Sequence, residues 1–135
     1  MKATEAAYLA GIIDGEGTIT LTKLHSNENR RPIISIASTD IELLEYIKSI
    51  TSGSINKKRN YSPSKHKNSY TFIIKRKGVV LSTLMEIIPY LRVPSKIKRA
   101  KFIIENYEKV TIRNGRYNES TLVLKQDFEN DFFAL

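Results

Sequence analysis

The chain has 135 residues, no cysteine, a net charge of +8 and an isoelectric point of about 9.7. This length suits one hydrophobic core, so we expect a single domain over residues 1–135. The composition excludes disulfides, thiolate metal sites and a membrane-spanning helix, and no signal peptide opens the chain, so we expect an intracellular protein without membrane contact. The basic charge favours a polyanionic partner.

The N-terminal third predicts a helix followed by a β-hairpin. An alanine-rich segment over about residues 4–14 ends at two glycines, Gly15 and Gly17, which predicts a helix that stops there. Alternating β-branched residues then predict strands over 18–24 and 33–37, joined by a polar turn.

The middle of the chain repeats a helix and a hairpin. Thr39 and Glu42 have the spacing of a capping box, which predicts a helix from that point to about Ile50. Two further strands are predicted over 54–60 and 69–77, on either side of a polar loop.

Three helices are predicted in the C-terminal half, over about residues 79–90, 95–110 and 119–135. The complete order is α-β-β-α-β-β-α with two more helices behind it. Four strands in two hairpins predict an α+β fold, with helices on one face of a mainly antiparallel sheet and the other face free for a partner. Apolar spacing predicts that the helix over 79–90 buries Leu81, Leu84, Met85 and Ile88. It predicts that the helix over 119–135 buries Leu122, Leu124, Phe128 and Phe132.

The most informative segment is the run Leu-Ala-Gly-Ile-Ile-Asp-Gly-Glu-Gly over residues 9–17. Small residues at positions 7, 11 and 15 form a stripe on one helix face, and such stripes let two helix backbones approach closely. Glu16 is expected just past the helix end, where a carboxylate and backbone carbonyls offer the oxygen ligands that hard divalent cations prefer. An isolated Asp-Gly-Glu-Gly would more often be a plain helix C-cap.

The whole run resembles the signature of the LAGLIDADG homing endonucleases, and a hairpin follows it directly, as in that family. The resemblance covers nearly the whole chain through the αββαββα order and is strongest from Tyr8 to Thr18. It implies the homing-endonuclease fold, with a four-stranded antiparallel, saddle-shaped sheet and helices on one face. It also implies double-strand breaks in a long double-stranded DNA target.

In that family the motif acid binds metal beside the scissile phosphates. The resemblance implies that Glu16 is the metal ligand, helped by the carbonyl of Gly15, and that Asp14 has a mainly structural role. Glu stands here where the family often has Asp. The implied cofactor is Mg²⁺; Mn²⁺ is expected to substitute for it, and Ca²⁺ to support binding without cleavage.

The chain carries only one copy of the motif, whereas cutting two strands needs two acidic ligand sets. Single-motif members of the family meet this need by homodimerising, which implies a two-fold dimer and a pseudo-palindromic target. The expected interface residues are Ala7, Gly11, Ile12 and Gly15.

Two more side chains are assigned to the site by resemblance. Lys96, in a Lys-x-x-x-Ala setting with Ala100, matches a lysine that reaches the family's active site, where it could stabilise charge on the phosphate. Lys98 is close enough to compete for this role, and a plain surface lysine is the structural alternative. Ser38 matches a polar residue at the end of the second strand, where the family often has a longer amide, and capping of the next helix is the alternative for Thr39.

The free sheet face is the predicted DNA-reading surface, because polar and basic side chains on a β-ribbon can enter the major groove. Phosphate contacts are expected from Lys57, Arg59, Lys65, Lys67 and Lys98. Strand alternation gives the base-facing set as Thr20, Thr22, Leu24, Arg31, Ile33, Ser35, Asn56, Lys58, Ser69, Thr71, Ile73 and Lys75.

The implied reaction is metal-dependent phosphodiester hydrolysis that leaves short 3′ overhangs. The setting would be an intron- or intein-type mobile element, free-standing here, in the cytoplasm of a prokaryote or in an organelle. The alternatives on the same fold are an intron RNA maturase, which would also bind RNA, and a DNA-binding regulator that no longer cuts. The intact Glu16 and Lys96 argue against either as the only activity.

Overall fold

A computed structural model describes all 135 residues and confirms the predicted α+β fold and element order. None of its helices is both long and apolar enough to cross a membrane. The elements are α1 (Ala3–Glu16), β1 (Gly17–Thr22), β2 (Arg31–Ser38), α2 (Ile41–Ile50), β3 (Ser54–Lys57), β4 (Tyr70–Ile74), α3 (Lys77–Ile87), α4 (Pro94–Asn106) and α5 (Glu119–Phe133), with 3₁₀ turns at Ile88–Tyr90 and Glu108–Val110.

The four strands form one antiparallel sheet in the order β1-β2-β4-β3. Ser38, at the end of β2, pairs with Tyr70 at the start of β4, and Gly17 at the start of β1 lies at this same end of the sheet. Thr22 pairs with Arg31 at the opposite end. We call the first the motif end, because it directly follows α1, and the second the outer end.

One face of the sheet is buried against the helices, as predicted. Ile19, Ile34 and Phe72 are at most 1% exposed, and they belong to a single core of 20 buried residues. Alternate strand residues point to this core because side chains on a strand alternate between its two faces. The helices contribute Leu9, Ile13, Leu44, Ile47, Val80, Leu84, Ile87, Ala100 and Ile103.

The opposite face of the sheet, which we call the outer face, carries the predicted residues that lie on strands. The predicted strands were too long, however, so Leu24, Lys58, Ser69 and Lys75 lie beyond the strand ends. Thr20 pairs with Ile33, and Ser35 pairs with Ile73, so these side chains share one surface. Ile33 was expected to be exposed but is only 7% exposed, because it lies on β2, which has a neighbouring strand on each side. By the same register Thr22, Arg31, Asn56 and Thr71 also lie on this face.

The ends of two helices differ from the prediction. α1 continues through Gly15 and ends at Glu16, so Glu16 lies in its last turn and not beyond it. A glycine inside a helix costs only about 1 kcal/mol relative to alanine, which does not stop a helix that packs on a core. α2 begins at Ile41, so the capping box at Thr39 is wrong; β2 keeps the chain extended to Ser38, and Asp40 takes the N-cap position.

The buried face of α3 is offset from the predicted one. Val80, Thr83, Leu84 and Ile87 are buried, whereas Met85 is 64% exposed. This helix is apolar on nearly every side, so hydrophobic spacing alone does not select the face that packs on the sheet.

The start of α5 is also more exposed than predicted. Phe128 and Phe132 lie in the core, but Leu122 and Leu124 are about half exposed. In the helical turn between Leu124 and Phe128, the buried side chain is Lys125, which is 1% exposed. A burial pattern that places a lysine inside and leucines outside is not visible from hydrophobic periodicity.

Candidate active site and nucleic-acid interface

The motif helix ends in a tight passage into the sheet. The backbone N–H of Gly17 donates to the carbonyl of Ile13, and β1 starts at the same residue. A Cβ at Gly17 would lie 2.7 Å from the Cα of Ile13, so a larger residue would force the helix and the strand apart. Glu16 is thereby fixed in the last turn of α1, with its side chain exposed at the motif end of the sheet.

Glu16 lines a cleft of about 370 Å³ at the motif end. Ser38 and Ser69 line the same cleft, so the structure brings together the predicted metal ligand and the predicted strand-end residue. The Ser38 hydroxyl accepts a hydrogen bond from the backbone N–H of Asp40 at 3.0 Å, which leaves its own proton free to donate. Asp40, which the sequence analysis missed, adds a second carboxylate to the cleft; its position two residues beyond the strand end was the available signal.

Asp14 and Lys96 tie the end of α1 to the start of α4. The Asp14 carboxylate accepts hydrogen bonds from the backbone N–H groups of Arg92 (2.9 Å) and Val93 (3.0 Å). In the other direction, the Lys96 ammonium donates to the carbonyls of Ile13 and Asp14, the latter at 2.8 Å. Each side chain thus bonds to backbone groups at the end of α1 or just before α4, where the chain offers polar groups that the helices do not fully pair. We call this arrangement the α1–α4 clamp.

Lys96 lines a different cleft from Glu16. This neighbouring cleft, of about 310 Å³, also contains Arg99 and the first residues of β1. The Arg99 guanidinium, which was not predicted, donates to the carbonyl of Ile19 at 3.0 Å and lies 5.0 Å from the ring centre of Phe132. Lys96 and Arg99 therefore lie beside the start of β1, in the cleft next to the one that contains the Glu16 carboxylate.

Replacing Asp14 with alanine is expected to lower the free energy of unfolding by about 2–4 kcal/mol, because two backbone N–H groups lose a charged acceptor. Asp14→Asn keeps one acceptor oxygen, so its loss should be about half as large. Urea unfolding of both variants measures the free energy of unfolding. Asp127→Ala, which removes an exposed carboxylate on α5, is the matched control. Equally small losses in all three variants would contradict the clamp.

The small residues of α1 form an exposed stripe that faces away from the core. Ala7, Gly11 and Gly15 are all exposed, and a Cβ at either glycine would meet nothing within 4 Å. Ile12, next to them, is half-buried and packs against the core. Tyr8 lies on this side of the helix and is 48% exposed. No contact within the chain therefore requires small residues at positions 11 and 15.

Basic side chains surround the outer face of the sheet. A hydrogen bond from the Lys58 N–H to the Ser69 carbonyl, 2.9 Å long, continues the pairing of β3 with β4 one step beyond the strands. Arg59 stacks over Tyr61, which is 80% exposed, with 4.9 Å between guanidinium carbon and ring centre. The exposed lysines on or beside this surface and on α4 are Lys57, Lys58, Lys65, Lys67, Lys75 and Lys98.

The donors at the end of α1 suit a hard divalent cation. Glu16 offers an exposed carboxylate, and the Gly15 carbonyl lies in the last turn, where carbonyls lack helical donors. Lys96 occupies the carbonyls of Ile13 and Asp14 but not that of Gly15. Oxygen-only donors of this kind fit Mg²⁺ or Ca²⁺. No group of three or more acidic or histidine side chains is assembled within one chain.

Comparison with known families gives one match. The model of a family described as LAGLIDADG endonuclease matches residues 9–95 of the chain. No curated protein sequence matches the chain. The matched residues include α1 from Leu9 onward, the whole sheet and the start of α4.

Several solved structures share the fold. Their sequence identities to this chain are low enough that the similarity shows the fold alone. The homing endonuclease I-CvuI, in complex with its target in the presence of 2 mM Ca, is 18% identical, with a TM-score of 0.71 over 98% of this chain and 82% of that chain. The archaeal intron-encoded homing endonuclease I-Vdi141I, complexed with DNA, is 18% identical. Its TM-score is 0.54, over 94% of this chain and 98% of that chain. The LAGLIDADG homing endonuclease I-GzeII, in complex with a DNA target, is 20% identical, with a TM-score of 0.60 over 91% of this chain and 42% of that chain.

Proposed function

The chain belongs to the LAGLIDADG endonuclease family, and from this premise we propose that it is a site-specific homing endonuclease that cuts both strands of DNA as a homodimer. The observation that carries the proposal is the position of Glu16. Its carboxylate is exposed in the last turn of the motif helix, in a cleft at one end of the sheet whose outer face is polar and flanked by lysines.

The proposed reaction is hydrolysis of one phosphodiester bond in each strand, leaving short 3′ overhangs. Glu16 and the Gly15 carbonyl would hold a divalent ion, Mg²⁺ or Mn²⁺, which supplies Lewis-acid stabilisation of charge on the phosphate and the leaving 3′ oxygen. Ser38 and Asp40, in the same cleft, would orient water toward the phosphate. Lys96 holds the end of α1 in place and contributes positive charge close to the reacting strand.

Two copies are proposed because one chain has one motif helix and one Glu16. The exposed stripe of Ala7, Gly11 and Gly15, with Ile12 beside it, would let a second α1 approach closely. A two-fold axis along this contact would bring the two Glu16 carboxylates near each other. The match to 42% of the I-GzeII chain supports this proposal, since two copies of the present chain correspond in size to that one.

The outer face of the sheet is proposed to lie in the major groove. Its threonine, serine, asparagine and arginine side chains would contact base edges, and the surrounding lysines would contact phosphates. The DNA complexes of I-CvuI and I-Vdi141I support a DNA partner. The intron-encoded origin of I-Vdi141I supports a mobile element as the setting.

Cleavage of a plasmid library with random inserts tests the proposal. We expect discrete double-strand cuts at pseudo-palindromic sites with Mg²⁺ or Mn²⁺, no cuts with EDTA, and binding without cutting in Ca²⁺. End sequencing of the products should show short 3′ overhangs. If DNA or intron RNA is bound selectively and is never cut with any of these ions, a non-cleaving regulator or an RNA maturase replaces the endonuclease.

A further inference from the structure

A second charged cavity lies at the outer end of the sheet, at the far end of β2 from Glu16. It has a volume of about 320 Å³ and lies between the β1–β2 loop, the start of α3 and helix α5. We call it the outer cavity. Its lining includes four cations and two phenols, namely Arg30, Arg31, Lys77, Lys125, Tyr107 and Tyr117.

Lys125 forms the floor of the outer cavity. This lysine is 1% exposed, and its ammonium lies 4.1 Å from the ring centre of Tyr107. It donates one hydrogen bond, to the Thr111 hydroxyl at 2.7 Å, and its other two protons make no hydrogen bond to an oxygen of the chain. Burial lowers the pKa of Lys125 to about 8, Lys77 acts in the same direction, and Glu129 opposes both. A buried cation with spare donors therefore faces a polar cavity.

Three carboxylates pair with the other cations of the cavity, and one of them, Glu129, also acts on Lys125, so the group as a whole carries a surplus of one positive charge. The Arg31 and Lys77 pairs have both partners 38–58% exposed, and ion pairs at such positions are weak enough for these two cations to turn toward a ligand, whereas Arg30 is held by the buried Glu129. A ligand with a single negative charge matches the surplus. The pairs are Arg30 with Glu129 at 3.5 Å, Arg31 with Glu28 at 3.2 Å and Lys77 with Glu108 at 3.8 Å.

We propose that the outer cavity binds one phosphodiester of the DNA backbone in the flank of the target, with the Lys125 ammonium as its principal donor. This inference rests on the proposed function, and it adds a specific contact far from the cut. β2 runs between the two ends of the sheet with eight residues, roughly 23 Å at 3.3 Å per residue. That length corresponds to about 7 base pairs of DNA at 3.4 Å each. A phosphodiester carries one negative charge, which would neutralise the one surplus positive charge of the cavity.

The Lys125→Met variant tests the proposal, because methionine keeps the length and apolar stem of lysine and removes the charge. On target duplexes that extend at least ten base pairs beyond each side of the centre, its affinity should fall about tenfold. The slope of log K against log salt should decrease by about one per subunit. On duplexes trimmed to about five base pairs per side, variant and wild type should bind equally.

The controls separate this contact from folding and from catalysis. Lys48→Met, at an exposed position on α2, should leave the dependence on duplex length unchanged, and Lys125→Arg should retain most of the affinity. Urea unfolding checks that each variant is folded. The measured quantity is DNA affinity, and the target sequence can be identified either by cleavage or by selective binding. A protein that binds DNA but fails to cut it therefore still gives an interpretable result.

Dimethyl phosphate, a monoanionic diester, tests the cavity without DNA. Its titration should shift the amide signals of residues 27–31 in the wild type and leave them unchanged in Lys125→Met. An equal response in both proteins, no response in either, or an equal loss of affinity on long and short duplexes would overturn the proposal. A response to inorganic phosphate with no effect of duplex length would also overturn it, and would make the cavity a site for free phosphate.

Discussion

Glu16→Gln is expected to slow DNA cleavage by roughly 10³-fold or more while DNA affinity changes only a few-fold. Glutamine keeps the size of the side chain and lacks the charge that holds a divalent ion, whose stabilisation of the transition state is worth several kcal/mol. Each 1.36 kcal/mol of that stabilisation corresponds to about tenfold in rate. Glu16 is exposed and makes no side-chain hydrogen bond or ion pair within the chain, so the fold should be unaffected.

Single-turnover cleavage of the target in Mg²⁺, beside a binding assay in Ca²⁺, separates the two effects. Glu45→Gln, an exposed glutamate on α2, is the matched control and should cut like the wild type. Asp40→Asn, in the same cleft as Glu16, should lose roughly tenfold if that residue only orients water. Cleavage by Glu16→Gln within tenfold of the wild type would remove Glu16 from the metal site and make Asp40 the first candidate in its place.

Sequence patterns predicted those parts of the site that depend on local geometry. The passage from α1 into β1 depends on a contact between Gly17 and Ile13, four residues apart, so a helix followed at once by a strand is encoded within the motif itself, although α1 ends later than predicted. The outer face follows from the fixed alternation of side chains along a strand, and the register that pairs Thr20 with Ile33 confirms it.

Contacts between distant segments could not be predicted in this way. Asp14 bonds to backbone groups 78 and 79 positions later, and only the packing of α4 against α1 makes that contact. The burial of Lys125 beside Tyr107 likewise depends on where α5 packs, since a lysine on a helix is normally assigned to the solvent side. The separation of Lys96 from Glu16 into two clefts is a third case, because family resemblance assigns residues to a site without giving their distances.

Gly11→Leu is expected to separate the proposed dimer while keeping, or raising, the stability of the single chain. A Cβ at Gly11 meets nothing within 4 Å in the chain, and leucine is a better helix former than glycine by nearly 1 kcal/mol. Between two α1 helices, the same side chain would prevent the close approach that small residues allow. The dimer dissociation constant should rise at least about a hundredfold, or roughly 2.7 kcal/mol, and double-strand cutting should be lost with it.

Gly78→Leu is the matched control, because Gly78 is also an exposed helical glycine with nothing within 4 Å of an added Cβ. Sedimentation over a concentration series should show dimers for the wild type and for this control, and monomers for Gly11→Leu. Urea unfolding should show that the monomer is at least as stable as the control. If Gly11→Leu stays dimeric, the interface lies away from α1 and does not bring the two Glu16 side chains together. Each Glu16 would then act alone, and the expected product would change from a double-strand break to a nick in one strand.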